Sequence, residues 1–541
     1  MFYFLAMEFN LADLFEGNVD VIGERTALVC GDRRLTYAEL EARANKLAHF
    51  LKSQGVKPGE HVGMYLYNGP EYVEGLLACL KIRAVPINCN YRYVEDELRY
   101  LFDDADLVAV LHQREFIPRL AAIRRDVSKV RTLVMVDDGS GHDASGLGSF
   151  EYETAIAGQS DARDFEPRSG DDLFIIYTGG TTGMPKGVMW RQEDMFFSAL
   201  GAGNPLGDPA EKPEDVAARA PSRDPQIVQF PVPPLIHGAA QLGVFIGFNW
   251  GDKVCLIPRF DPHAVWETVQ REHVNTLTIV GDAMARPLAE ALAEDASRHD
   301  LSSLYYFGST GAVLSQSVKE QLRALLPNTI VTENFGATET GFQGMEAMED
   351  ARPKEGGSRF QVMPTSMVVD DELNPIAAGS GTIGKLALRG HVPLGYYKDE
   401  EKTKATFFEK DGARWVIPGD LATVDADGSV IVFGRGAVCI NSGGEKIYPE
   451  EVEQVVRSHP EVYDAMVVGQ PDERWGERVV ALIQPRPGTQ PTLESIDAHC
   501  RTTLAGYKVP RAIYLVDEVQ RQPSGKPDFT WARRFAAEQV Q

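Results

Sequence analysis

The run Tyr177-Thr178-Gly179-Gly180-Thr181-Thr182-Gly183-Met184-Pro185-Lys186-Gly187 follows directly on the apolar residues Leu173-Phe174-Ile175-Ile176. A short apolar run bounded by turn residues reads as a buried strand, here ending in a loop. That loop carries Gly179, Gly180 and Gly183, the hydroxyls of Thr178, Thr181 and Thr182, and the ammonium of Lys186. Glycine lets a backbone aim several N–H groups at one anion. Threonine hydroxyls donate to phosphate oxygens, and the lysine adds positive charge. A mobile surface loop is the ordinary reading of a Gly/Thr cluster; a phosphate-binding loop is the sharper one. The P-loop pattern G-x-x-x-x-G-K-[ST] does not fit, because Pro185 precedes the lysine and Gly187 follows it.

Outward from this loop, strand-like and helix-like runs alternate. Residues 28–30 and 35–37 flank the turn Gly31-Asp32-Arg33-Arg34, and helical spacing runs from Tyr37 to Leu51. Val62-Gly63-Met64-Tyr65-Leu66 precedes a helical stretch over 71–82, and Ala84-Val85-Pro86-Ile87-Asn88 follows it. Such alternation predicts α/β layers with parallel strands. Residues 137–148, rich in Gly, Asp and Ser, read as a surface loop. Residues 203–226 hold Pro205, Pro209, Pro213, Pro221 and Pro225 among charges, and read as a long mobile loop outside the core. Alternation resumes over 227–338. Short β-runs with Gly turns fill 365–434, and the pattern resets near Arg435 into an α+β unit. No repeats are seen.

Six further segments carry candidate chemistry. They are Pro234-Leu235-Ile236-His237-Gly238, Gly308-Ser309-Thr310-Gly311-Ala312-Val313 after an expected strand over 304–307, and Glu333-Asn334-Phe335-Gly336-Ala337-Thr338-Glu339-Thr340. Trp415-Val416-Ile417-Pro418-Gly419-Asp420-Leu421 is the fourth. The fifth is Gly434-Arg435-Gly436-Ala437-Val438-Cys439-Ile440-Asn441-Ser442-Gly443-Gly444-Glu445-Lys446, and the sixth, near the end, is Pro523-Ser524-Gly525-Lys526-Pro527-Asp528. Each has a plain structural reading too: a core histidine, a β-turn, a helix N-terminus capped by Thr338, a Gly-Asp turn, a tight Gly-Gly turn, a solvated lysine.

Together with the phosphate loop, these segments resemble the adenylate-forming superfamily of acyl-CoA synthetases, luciferases and peptide-synthetase adenylation domains, over nearly the whole chain. The resemblance implies the ANL fold: an α/β protein with a large N-terminal domain, 1–434, of layered α/β subdomains plus a β-rich subdomain, and a small mobile α+β C-terminal domain, 435–541. It implies ATP and Mg²⁺ as partners of the site, with coenzyme A as co-substrate. Thr178, Gly179, Gly180, Thr181, Thr182, Gly183 and Lys186 would hold the phosphates. Gly311, Ala312, Val313, Asn334, Phe335, Gly336, Asp420, Val432 and Arg435 would hold the rest of the nucleotide, with Phe335 on adenine and Asp420 accepting both ribose hydroxyls. Thr338 would bond the α-phosphate, and Glu339 would bind Mg²⁺, which prefers carboxylate oxygens. Lys526 would stabilise charge developing in transfer. His237, Gly281, Gly308, Thr310 and Gly311 would line the acyl pocket, Ser442, Gly443, Gly444 and Lys446 would meet CoA, and residue 437 would be the hinge.

Several residues depart from the family pattern. Gly179 stands where Ser is commoner, Pro418 where Thr is usual, and Ala437 where Asp or Lys is usual. The strings YTGGTTGMPKGVMW and GRGAVCINSGGEKIYPEE look closest to synthetases for bulky lipophilic acids: long-chain, sterol side-chain or diterpenoid. The implied activity is ATP-dependent ligation of such an acid to CoA through an acyl-adenylate. Loading of a free-standing carrier protein, a luciferase-type oxygenase, and a non-catalytic nucleotide-binding or regulatory protein remain open readings.

The 541 residues carry a formal net charge of −24, which argues against nonspecific nucleic-acid binding. Six scattered cysteines make no CxxC pair, so neither a disulfide framework nor a zinc site is expected, and reduced thiols in cytoplasm are. The apolar start over 1–6 is too short for a signal peptide, and a start at Met7 is an equal reading. No apolar run is long enough to span a membrane. A homodimer is left open.

Overall fold

A computed structural model describes residues 8–178, 184–204, 207–294, 298–346, 358–435, 438–442, 445–472, 476–521 and 526–539. Among them, strands assemble into sheets of fifteen, eight and five. The eight-stranded sheet holds the phosphate-loop strand, Leu173–Thr178, between Val85–Asn88 and Lys186–Arg191. Its centre is parallel: His61–Tyr65 pairs with Val85–Asn88 on one side and Leu107–Gln113 on the other. Every residue of His61–Tyr65 is buried, as a strand covered on both faces requires.

The fifteen-stranded sheet begins with a parallel section. Thr26–Cys30, Lys253–Leu256, Val228–Pro231, Thr276–Ile279, Tyr306–Thr310 and Ile330–Ala337 lie side by side. It continues into an antiparallel, β-rich section through Gly341–Glu346, Ser358–Val362 and Val430–Arg435. The five-stranded sheet starts at Ile440–Ser442 and centres on the long hairpin Val462–Asp472 and Gly476–Pro485. The architecture is therefore the expected α/β arrangement with a small α+β unit at the C-terminal end.

Local chemistry fixes several boundaries. The Thr36 hydroxyl accepts from the Glu39 N–H at 3.1 Å while the Glu39 carboxylate accepts from the Thr36 N–H at 2.8 Å. This reciprocal cap starts the helix Tyr37–Ser53 at Tyr37, where the helical spacing begins, so Tyr37 belongs to the helix and not to the strand before it. The strand before it begins at Arg33, so the turn is shorter than expected. Pro70 opens Pro70–Lys81, where its missing N–H costs nothing.

Two expectations are corrected. Residues 203–226 are not simply a loop outside the core: Glu214–Arg219 is helical, and Val216 and Ala220 are buried in the core cluster that also holds Phe15 and Ile22. The strand expected over 304–307 is Tyr306–Thr310, so Gly308 lies inside a strand and the turn begins at Gly311, whose φ is +74°. No helix among the described residues is long and apolar enough to cross a membrane.

Candidate active site

The two large sheets meet at a cavity of about 500 Å³. Strand ends supply much of its wall. Ile176, Tyr177 and Thr178 come from the phosphate-loop strand, and Thr278 and Val280 from the end of Thr276–Ile279 and just beyond. Thr310 and Gly311 come from the next strand end. Asn334, Phe335, Gly336 and Thr338 come from a hairpin, Ile330–Ala337 turning into Gly341–Glu346. Thr338 thus caps no helix; it sits in a β-turn, and the Trp190 indole N–H donates to its carbonyl at 3.0 Å. A Cβ on Gly336 would lie 2.2 Å from the Gly341 carbonyl, so only glycine lets the hairpin close.

The strands that flank the phosphate loop, Leu173–Thr178 and Lys186–Arg191, pair antiparallel, with Thr178 opposite Lys186 in register. Gly179, Gly180, Thr181, Thr182 and Gly183 lie outside the described residues. Lys186 departs from its expected position: it starts the return strand and its ammonium forms an ion pair with Asp399, which also caps the helix Glu400–Thr406. That hydrogen bond from Lys186, with a backbone N–H from Lys402, holds the Asp399 carboxyl below its usual range. Lys186 is not among the residues facing the cavity.

His237 has extended backbone and stands at the start of the helix Gly238–Asn249. From that helix Ala239, Leu242, Gly243 and Ile246 face the cavity, the i, i+3, i+4, i+7 pattern of one helical face. Met195 and Ala199 add apolar wall. A Cβ on Gly238 would approach the Ile176 side chain to 3.2 Å, which shows how closely this helix start abuts the phosphate-loop strand.

Four expected contacts lie behind the wall rather than in it. Gly281 has φ +50°, its N–H donates to the Ser309 hydroxyl at 2.9 Å, and a Cβ there would lie 2.8 Å from both the Ala312 Cβ and the Val313 carbonyl. Gly281, Ala312 and Val313 therefore pack on one another and brace the turn at Gly311. Gly308 is required by its neighbours, since a Cβ would meet the Tyr306 ring at 2.7 Å and the Asn334 amide at 2.9 Å. Val432 also departs from expectation: it is buried in the apolar cluster of Phe360, Val368 and Leu386 on which Phe335 packs. The Phe335 and Phe360 ring centroids are 5.2 Å apart.

Glu339 is buried, and its Oε1 accepts from the Tyr396 hydroxyl at 2.9 Å. Among the described residues no three His, Cys, Asp or Glu side chains are grouped as an all-protein metal site would need. A single carboxylate suits a Mg²⁺ that arrives on nucleotide phosphates, which supply most of its oxygens. Beneath the hairpin, burial pushes the Glu333 carboxyl up to about 7, with Lys319 at 3.7 Å opposing the shift. Asp420 is buried at the start of Asp420–Val424 and stands opposite Arg435 in register.

The C-terminal unit contributes Arg521, Lys526 and Asp528 to the same cavity. Arg521 is anchored by the Asp464 carboxylate at 2.7 Å, and Asp528 caps the helix Phe529–Glu538. Ser442, at the end of Ile440–Ser442, does not face the cavity, and Lys446 lies on Glu445–Ile447. Ala437, Gly443 and Gly444 lie outside the described residues. The sequence reading missed Trp190, Asn88, Arg521, Leu242 and Ile246. The helix after His237 is apolar on nearly every side, so spacing alone does not single out the last two.

Residues 15–397 match the AMP-binding enzyme family, and residues 451–526 match the AMP-binding enzyme C-terminal domain. The chain is 49% identical over 531 residues to a 3-oxocholest-4-en-26-oate--CoA ligase of Rhodococcus rhodochrous, covering 97% of this chain and 96% of that protein. It is 47% identical over 536 residues to a medium/long-chain-fatty-acid--CoA/3-oxocholest-4-en-26-oate--CoA ligase of Mycolicibacterium smegmatis, covering 98% and 97%. Among solved structures, the anthranilate CoA ligase AuaEII in complex with anthranoyl-AMP superposes with a TM-score of 0.84 at 26% identity, covering 99% of each chain.

Proposed function

The chain belongs to the AMP-binding enzyme family and is an AMP-forming acid–thiol ligase; from that premise we propose that it joins a bulky lipophilic carboxylic acid, of the sterol side-chain or long-chain fatty class, to coenzyme A. The observation that carries this reading is the cavity in which Lys526 and His237 stand on one wall set with Thr338 and the phosphate-loop strand, beside the apolar face of Leu242 and Ile246. The substrate class rests on the two relatives that share nearly half their residues with this chain.

In the first step a carboxylate oxygen attacks the α-phosphorus of ATP and the bond to pyrophosphate breaks. Lys526 offsets negative charge developing between carboxylate and phosphate, Thr338 donates to the α-phosphate, and the N–H groups of the phosphate loop hold the leaving pyrophosphate. Mg²⁺, when bound, lowers the charge on the phosphates, and Glu339 is the residue that would hold it. Phe335 packs on adenine, and Asp420 accepts from the ribose hydroxyls. In the second step the CoA sulfur attacks the acyl carbonyl, the thiol proton goes to solvent, and AMP leaves. The small domain, 435–541, turns about residue 437 between the steps, withdrawing Lys526 and bringing the 442–446 segment to the channel. The enzyme works in the cytoplasm.

Purified protein with Mg-ATP, CoA and acids from acetate through palmitate to steroid acids tests this, with AMP and acyl-CoA followed by mass spectrometry. A steroid or long-chain thioester, lowered by about 10²–10³-fold in Lys526→Ala, is expected. Adenylate that never passes to CoA would instead assign the acceptor to a carrier protein, and no adenylate from any acid would overturn the reading.

A further inference from the structure

Asn88, the last residue of Val85–Asn88, is buried and makes three short hydrogen bonds. Its Oδ1 accepts from the Tyr177 N–H at 2.7 Å. Its Nδ2 donates to the Tyr177 carbonyl at 2.7 Å and to the Ile236 carbonyl at 2.6 Å. Tyr177 lies just before the phosphate loop, and Ile236 just before His237.

The backbone explains why a side chain is needed here. Val85–Asn88 pairs with Leu173–Thr178 at Ile87 and Ile175. One step further on, the Asn88 carboxamide takes the place of a peptide group and binds both polar atoms of Tyr177. Residues 233–237 form no helix or strand, so their buried polar groups depend on side chains. Asn68 accepts from the Leu235 N–H at 2.6 Å and donates to the Pro233 carbonyl at 3.1 Å, while Gln241 donates to the Leu235 carbonyl at 2.7 Å. Of these three amides, Asn88 alone also binds the phosphate-loop strand, and it faces the cavity itself.

We propose that Asn88 is a positioning residue for adenylation: its carboxamide fixes His237, at the acid's end of the cavity, relative to the loop that holds the ATP phosphates. The inference rests on the ligase reading above. Reacting groups displaced by about 1 Å can lose on the order of 10² in rate, so a clamp between the two half-sites acts on the step in which acid and ATP meet. The second half-reaction, which starts from a formed adenylate, depends on it far less.

Acid-dependent ATP–pyrophosphate exchange and thioester formation from supplied acyl-adenylate and CoA separate the two steps. The variants are Asn88→Ala, His237→Ala, their double, Asn88→Asp and Asn68→Ala. Asn88→Asp keeps the size and the acceptor for Tyr177 but loses both donations. Expected are a drop of about 10–100-fold in exchange kcat for both Asn88 variants, less than threefold change in thioester formation, and a double variant no worse than about threefold below the poorer single. Asn68→Ala should lose melting temperature with a smaller effect on exchange. Equal losses in both half-reactions, or effects of Asn88→Ala and His237→Ala that multiply fully, would overturn the proposal. If Asn88→Ala does not fold, Asn88→Asp decides alone: exchange within threefold of wild type overturns it. Absence of exchange in the wild-type protein would instead strike the ligase reading beneath.

Discussion

The Tyr396 hydroxyl donates to Glu339 Oε1 at 2.9 Å, tying a carboxylate at the turn beside the cavity to a two-residue strand, Gly395–Tyr396. That strand pairs with Lys186–Arg191, the return arm of the phosphate-loop hairpin. One hydroxyl therefore sets the direction of Glu339 relative to the loop. Hydrogen bonds to a buried charged group contribute about 1.5–3 kcal/mol. Tyr396→Phe keeps the ring that packs on Phe407 and removes only this donor. The Mg²⁺ concentration for half-maximal activity should rise roughly 3–10-fold, with a lower melting temperature. A Mg²⁺ titration at fixed ATP that overlays the wild type would detach Glu339 from the metal role.

The apolar face of Gly238–Asn249 presents Leu242 and Ile246 to the cavity. Leu242→Phe adds volume there without a new polar group. One added or removed methylene in such a pocket shifts selectivity by about 1–3 kcal/mol. The kcat/KM for a steroid acid should therefore fall about 10–100-fold while that for a short straight-chain acid changes less than about threefold. Parallel losses for both acids would mean that Leu242 faces ATP rather than the acyl group.

Much of this was legible in the residues. The parallel strands His61–Tyr65, Val85–Asn88 and Leu173–Thr178 follow from short apolar runs that alternate with helical ones. What was not legible lies in how side chains pair across the sheets. Lys186 sits in the strongest motif of the chain, yet its ammonium goes to Asp399, more than two hundred residues away. Sequence spacing cannot report such a partner. Val432 was expected at the nucleotide and is core, because strand alternation at Val430–Arg435 turns it toward Phe360 and Leu386. Gly281 and Gly308 were expected in the pocket wall and instead permit close packing behind it. Asn88 carried no motif, since a lone asparagine after an apolar strand is ordinarily a turn residue.

Lys81 is fully buried between two carboxylates, with Glu41 at 3.0 Å and Glu16 in a shorter contact. It fastens the first helix, Leu11–Ile22, to Tyr37–Ser53 and Pro70–Lys81. Removing one member of a buried charge network costs about 3–5 kcal/mol because the partner charges stay behind. Arg168 also binds Glu16 and Arg163 also binds Glu41, so the low end applies. Lys81→Ala should lower unfolding free energy by about 3 kcal/mol in denaturant titration. A loss below about 1 kcal/mol would show that the two arginines suffice.

Glu333 gives the fold a pH dependence of its own. Burial raises its carboxyl from 4.5 to about 7, Glu346 adds to the shift, and Lys319, the Leu314 N–H and Asp282 complete its surroundings. A raised carboxyl holds its proton in the folded chain when the unfolded chain has released it. Its contribution is therefore fully present below pH 4.5 and is lost as pH rises to about 7, above which it is flat. The loss amounts to roughly 3 kcal/mol at 1.36 kcal/mol per pH unit. Glu333→Gln keeps the shape and cannot ionise. Relative to wild type, it should gain stability between pH 5 and pH 8, as read from melting temperatures across that range. A constant difference between the two proteins would mean that Lys319 keeps Glu333 charged throughout, and the buried pair would then be an ordinary salt bridge.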